Sequence, residues 1–173
     1  MGLLIDGYNL LHASGVFPTG GPPTLERARV ALLDFLIESL PAKELPRTIV
    51  VFDAAHAPPG LPREIEHRGL AVRFARRGGS ADELLEELIA AEPDPRHLLV
   101  VSSDHRVQRA ARQRGARHVD SEAWKAELER SVRSSANTGP ANPARGEFDK
   151  EDVAMQNPFP PGYGSDVLED PND

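Results

Sequence analysis

The chain has 173 residues, no cysteine, and 20 Lys+Arg against 27 Asp+Glu, for a formal net charge of -7. That length suits one domain with a sizeable core and is short for two. The lack of cysteine excludes disulfides, thiolate metal sites and a thiol nucleophile, so any metal must be held by oxygen or imidazole.

The first apolar run, Leu3-Leu4-Ile5, stops at Asp6. It reads as a short buried strand and falls far short of a signal segment. No later run approaches the roughly eighteen apolar residues that cross a bilayer, so a soluble, cytoplasmic protein is expected. After a polar Gly/Pro stretch from Gly15 to Pro23, the positions Leu25, Ala28, Leu32, Phe35 and Leu36 recur at helical spacing, and Pro41 helps to end that helix. Ile49-Val50-Val51-Phe52 reads as a second strand ending at Asp53, followed by a Pro-rich loop from Ala54 to Pro62 suited to substrate contacts. Ala71 to Phe74 is a third strand, followed by Arg76-Arg77-Gly78-Gly79. Ser80-Ala81-Asp82-Glu83 is a capping-box pattern opening a helix with apolar Leu84, Leu85, Leu88 and Ile89. Leu98 to Val101 is a fourth strand leading through Ser102-Ser103 to Asp104, with a helix from about His105 to Arg114 before Gly115. A strand at Arg117 to Val119 and a helix from about Ser121 to Arg133 complete the unit.

This alternation predicts an α/β domain over residues 1–133, with a mainly parallel sheet of about five strands covered by helices on both faces. Residues 134–173 are rich in Pro, Gly, Asn and acids and read as a disordered tail, in which Met155 to Tyr163, with Phe159 and Tyr163 among prolines, could dock on the domain or a partner. The acidity is concentrated there. Residues 1–130 carry 17 Lys+Arg against 19 Asp+Glu, and residues 131–173 carry 3 against 8, so the net charge does not exclude an RNA partner.

Three aspartates end or closely follow predicted strands (Asp6, Asp53 and Asp104), and Asp82 opens a helix beside them. In open α/β sheets ligands bind beyond the carboxyl ends of the strands, so all four are expected at one rim. Hydrolysis of an anionic phosphodiester needs neutralisation of developing charge and an activated water. Divalent cations supply both, and Mg2+ or Mn2+ prefers carboxylate oxygens. Asp6, Asp82 and Asp104 are the expected ligands, with Asp53 a further ligand or a holder of coordinated water. Glu83 is a further acid for which the capping box competes. Asn9 and Ser103 are candidates to orient those ligands or the scissile phosphate.

Each residue also has a plainer reading. Asp82 suits the first turn of a helix, Asp104 suits an N-cap, and Asp53 suits a strand-end turn. Asp6, between a strand and Gly7, has little structural use on this reading. Arg106 and Arg109, with Arg112 on the same helix and Arg73, Arg76 and Arg77 before Asp82, are candidate phosphate contacts or an ordinary charged surface. His12, His56, His67 and His105 show no metal-ligand spacing and are expected on the surface or in loops, and Trp124 with Leu128 in the core.

As an ordered set, Leu4-Ile5-Asp6-Gly7-Tyr8-Asn9, Val50-Val51-Phe52-Asp53-Ala54, Ala81-Asp82-Glu83 and Ser102-Ser103-Asp104 resemble the YacP-like NYN family of PIN-like ribonucleases over about residues 3–130. The resemblance implies a PIN-like three-layer α/β/α fold and an acidic Mg2+ or Mn2+ site formed by Asp6, Asp82 and Asp104, with Asp53 and Asn9 close by. It further implies endonucleolytic cleavage of single-stranded RNA and association with the ribosome during mRNA decay. The tail from Ser134 departs from the basic helical ending expected of close relatives, which bears on ribosome docking more than on cleavage.

Two other classes compete. A non-catalytic module would hold RNA or the ribosome on its arginines, insensitive to chelator and weakened by salt. Phosphoryl transfer through an aspartyl intermediate would want an acid at position 8, which is Tyr, and a well-placed lysine, but the lysines are Lys43, Lys125 and Lys150 only.

Overall fold

The computed structural model describes residues 2–15, 24–53, 62–76 and 78–138. The loop from Ala54 to Leu61 with His56, Arg77, and everything beyond Thr138 including Met155 to Tyr163 lie outside the described residues. The described strands are β1 (Gly2–Asp6), β2 (Thr48–Phe52), β3 (Glu64–His67), β4 (Leu70–Phe74), β5 (Leu98–Val101) and β6 (Arg117–Val119). The helices are α1 (Gly7–Ser14), α2 (Leu25–Ser39), α3 (Ala81–Ala91), α4 (His105–Arg114) and α5 (Ser121–Thr138).

The strands form one sheet in the order β3-β4-β2-β1-β5-β6, parallel throughout except for β3, which pairs antiparallel with β4. Side chains alternate across the sheet with the two-residue period of a strand. Leu3, Ile5, Val50, Phe52 and Val101 pack under α1, α2 and α5 with Leu10, Leu33, Leu36 and Trp124. Leu4, Val51, Leu98 and Val100 pack under α3 and α4 with Leu85, Ile89, Val107 and Ala111. The result is the expected three-layer α/β/α arrangement, with six strands rather than about five.

Three elements differ from the sequence-based expectation. α1 begins at Gly7, a poor helix former, but Asp6 caps it and Leu10 is buried beneath it. β3 adds an edge strand through a two-residue turn in which Arg68 has φ 51° and Gly69 φ 89°, the left-handed pair that a tight hairpin turn requires. His67 on that strand is buried, not superficial, and meets Asp34 of α2 at 2.9 Å. α5 runs on to Thr138, past the Arg133 end and into the segment expected to be tail. Among the described residues no helix is long and apolar enough to cross a membrane.

Candidate active site

Parallel strands β1, β2 and β5 deliver their carboxyl ends to one rim, and the connections to α1 and α4 are so short that the residue ending each turn caps the helix. Asp6 is 2 % exposed. Its Oδ1 accepts the Asn9 backbone N–H at 3.1 Å, and its Oδ2 accepts the Asn9 side-chain amide at 2.5 Å and the Ser102 hydroxyl at 3.0 Å. Asp6 is therefore a working N-cap, contrary to the expectation that it had little structural use. Ser102 Oγ in turn accepts the Asp104 backbone N–H at 3.1 Å, which ties the ends of β1 and β5 together.

Asp104 Oδ1 accepts the backbone N–H groups of Arg106 at 2.6 Å and Val107 at 3.2 Å and so caps α4. Asp82 sits in the first turn of α3, whose cap is the reciprocal pair Ser80–Glu83, with Glu83 N donating to Ser80 Oγ at 3.2 Å and Ser80 N to Glu83 Oε2 at 3.3 Å. That pairing accounts for Glu83. Asp82 itself is half-buried and makes no hydrogen bond or ion pair with a described residue.

Burial pushes the Asp82 carboxyl above its ordinary value, and the charges of Asp104 and then Asp6 push it further. The three acids therefore share one electrostatic neighbourhood. Arg106 counters this in part, but its guanidinium grips Glu86 two-pronged at 2.7 and 2.8 Å, and that partnership raises its own pKa. Asp53, just beyond the end of β2, acts on Tyr8, whose hydroxyl is pushed up by burial and, less strongly, by Asp53, against the lowering effect of Arg29.

The donor set fits a hard cation in kind, being carboxylate oxygens that repel one another. Among the described residues, however, no three His, Asp or Glu side chains converge tightly enough to hold an ion as they stand.

Of the other nominated residues, Asn9 meets Asp6 directly. Ser103 does not: its Oγ accepts the backbone N–H of Ser121 at 3.2 Å, and Ser102 is the serine on the carboxylate. Arg109 is exposed on α4, and Arg106 is engaged by Glu86. Sequence reasoning also passes over Arg29, which is 1 % exposed, donates through Nε to the Tyr8 hydroxyl at 2.9 Å and lies over the Tyr8 and Phe52 rings. Its signal is present, since Arg29, Leu33 and Leu36 share one helical face. A Cβ built on Gly7 would run into the Phe52 ring, so the glycine lets α1 approach β2 at the rim.

Fold and rim together define a class: α/β/α domains with an acidic site at the carboxyl edge of a mainly parallel sheet. The family model of the YacP-like NYN domain matches residues 3–156, and the chain belongs to that family, whose members are PIN-like nucleases. The "Uncharacterized protein YacP" of Bacillus subtilis is 31% identical over 147 residues, covering 80% of this chain and 85% of that protein. The crystal structure of Rae1 (YacP) from Bacillus subtilis is 26% identical, with a TM-score of 0.55 over 79% of this chain and 80% of that one. A single-substitution variant of it gives a TM-score of 0.56 over 79% and 82%. In coarse terms the chain is therefore assigned to nucleases that act on RNA.

Proposed function

We propose that the protein is a metal-dependent endoribonuclease that hydrolyses phosphodiester bonds of single-stranded RNA in the cytoplasm. The observation that carries this reading is the gathering of three acids from three connections of the sheet at one rim: Ser102 Oγ joins Asp6 to the Asp104 backbone, and Asp82 stands in the first turn of α3 where the charges of both act on it. Asp6, Asp82 and Asp104 would hold Mg2+ or Mn2+, with Asp53 nearby on the Tyr8 side. Bound there, the cation would neutralise charge developing on the phosphate and make water nucleophilic near neutral pH. The residues divide the remaining work. Asp6 is oriented by Asn9 and Ser102, Asp104 is oriented by the first turn of α4, and Asp82, which lacks a hydrogen bond to a described residue, is the acid able to adjust. Arg109 is available to a substrate phosphate, and Arg106 becomes so if Glu86 releases it.

The test is cleavage of an end-labelled single-stranded RNA by wild type and Asp104→Asn with Mn2+, Mg2+ or excess chelator. Internal cuts that require metal and vanish in the variant are expected. Cutting that survives in Asp104→Asn, or in chelator, defeats the assignment. Because the family resemblance implies a ribosomal partner, the same assay is run on ribosome-bound message. RNA binding without cleavage in either setting returns the protein to the class of binding modules.

A further inference from the structure

A groove of about 410 Å³ opens beside α3 on the side away from α4, lined at its upper end by Arg63, Arg73, Arg76 and Ser80. We propose that it is a second phosphate subsite, which takes a backbone phosphate of the same RNA strand whose scissile phosphate meets Asp6, Asp82 and Asp104. The proposal rests on the endoribonuclease reading and extends it to how the strand is held.

The topology is what brings these arginines to the acidic rim. β4 runs parallel to β2 and ends at the same edge, which carries Arg73 and Arg76 there. β3 is antiparallel, so it starts at that edge, and Arg63 just before it is fixed by its carbonyl accepting the Phe74 N–H at 2.9 Å. Ser80 opens α3 from the same edge, two residues before Asp82, so the groove and the carboxylates share the first turn of one helix.

The charges at the upper end are not used up within the fold. Arg73 meets Glu64 across the strand pair through Nη2, at 3.1 Å to Oε2 and 3.3 Å to Oε1, while its buried Nε has no hydrogen-bond partner. A buried guanidinium N–H without an acceptor is costly. Arg63 and Arg76 are exposed, and neither makes an ion pair with a described residue. The groove also contains acids, but Glu64 is held by Arg73 and Glu83 by the Ser80 backbone, and Glu87 lies a turn further down α3 from the rim. Arg63 and Arg76 are therefore the cations of the groove left without an ion pair to a described residue, and the groove shares Ser80 and Glu83 with the helix turn that bears Asp82. Guanidinium groups that grip phosphate in this way fix the register of a strand without reading its sequence.

The test uses the full chain, a fluorescent single-stranded RNA dodecamer and anisotropy in excess chelator across a salt series, comparing wild type with Arg63→Ala/Arg76→Ala. Both side chains are exposed, so an unchanged thermal melt is the check on folding. The variant is expected to bind roughly tenfold more weakly at low salt, with the slope of log K against log salt shallower by about 0.7 for each phosphate it no longer neutralises. With Mn2+ present, KM for the dodecamer should rise while kcat holds.

Equal affinity and slope for the dodecamer overturn the subsite. Inorganic phosphate that displaces the dodecamer from wild type at concentrations matched in phosphate would show a free-anion site and overturn the RNA assignment. The two readings fail separately. A wild type that cuts nothing yet shows the slope difference loses the nuclease reading and keeps the subsite, whereas normal cutting by a variant with unchanged KM does the reverse.

Discussion

Truncating each of the three clustered acids to alanine should abolish cleavage alike but change the stability of the metal-free protein very differently. Asp6→Ala removes an N-cap, worth about 0.5–2 kcal/mol. It also strands the Ser102 hydroxyl and the Asn9 amide, where an unsatisfied buried group costs about 1–3 kcal/mol. Ser102 is fully buried, but Asn9 is half-exposed and can turn to water. Removing a carboxylate that repels Asp82 offsets part of the loss, so a net cost of about 2–4 kcal/mol is expected. Asp104→Ala loses a cap that serves two N–H groups and should cost about 1 kcal/mol. Asp82→Ala breaks no hydrogen bond with a described residue. Its favourable place in the first turn, worth about 0.3–1 kcal/mol, is set against relief of repulsion and a gain in helix propensity of about 0.6 kcal/mol, so stability should hold or rise. Urea unfolding of the three variants in chelator gives the order directly. A cost for Asp82→Ala above that of Asp6→Ala, or a cost for Asp6→Ala below about 1 kcal/mol, would refute the division into one anchored, one capping and one adjustable acid.

The raised Asp82 pKa makes a pH prediction. A carboxyl that binds its proton more tightly folded than unfolded favours the fold at low pH, and that contribution is lost as pH rises from about 3.8 through the folded value. Urea midpoints of metal-free wild type across that window should fall relative to Asp82→Asn, and parallel curves would contradict the coupling. Saturating Mn2+ should raise the melting temperature of wild type, by about 2.7 kcal/mol of stabilisation at a hundred times the dissociation constant, and should leave Asp82→Asn much less affected. Equal shifts in the two proteins would move the ion elsewhere. Tyr8→Phe takes from the buried Arg29 an acceptor of its Nε, and a loss of about 1–3 kcal/mol in urea unfolding is expected, a neutral result meaning that Arg29 finds another partner. Gly7→Ala forces a methyl group into the Phe52 ring and should cost about 1–3 kcal/mol by the same measurement, a cost near zero showing that α1 can lift from β2.

What is legible in the chain follows from what each element depends on. α4 and β6 have the bounds their periodicity gives, because Val107 and Ala111 mark a buried face and Gly115, at φ 77°, ends the helix with its N–H on the last turn. α3 is readable because a capping box is a local signal. α1 is not, since its first residue disfavours helix and its stability comes from Leu10 beneath it and from Asp6, an acid that sequence reasoning assigns to chemistry. β3 is hidden by Glu64 and Glu66, charged residues on an edge strand, and its signal is the turn at Arg68-Gly69 rather than any apolar run. At the rim, the acids can be named because each follows from strand-end position. Their partners cannot, because Ser102 reaches Asp6 across 96 residues of sequence and nothing local separates Ser102 from Ser103.

The double use of Asp6 and Asp104 explains how the metal-free fold tolerates clustered negative charge. A carboxylate at a helix N-terminus faces N–H groups without intrahelical acceptors and the positive end of the helix dipole. Asp6 is held so at α1 and Asp104 at α4. Asp82 lies two positions too far into α3 to cap it, because Ser80 has taken that place. Asp82 is left without such bonds, and its pKa is raised first by burial and then by the charges of Asp104 and Asp6. A cation binding there would have little to gain from reorienting Asp6 or Asp104 and most to gain from Asp82. Loss of the Asp82 carboxylate should then weaken metal binding without unfolding the site, which separates its role from those of the two capping acids.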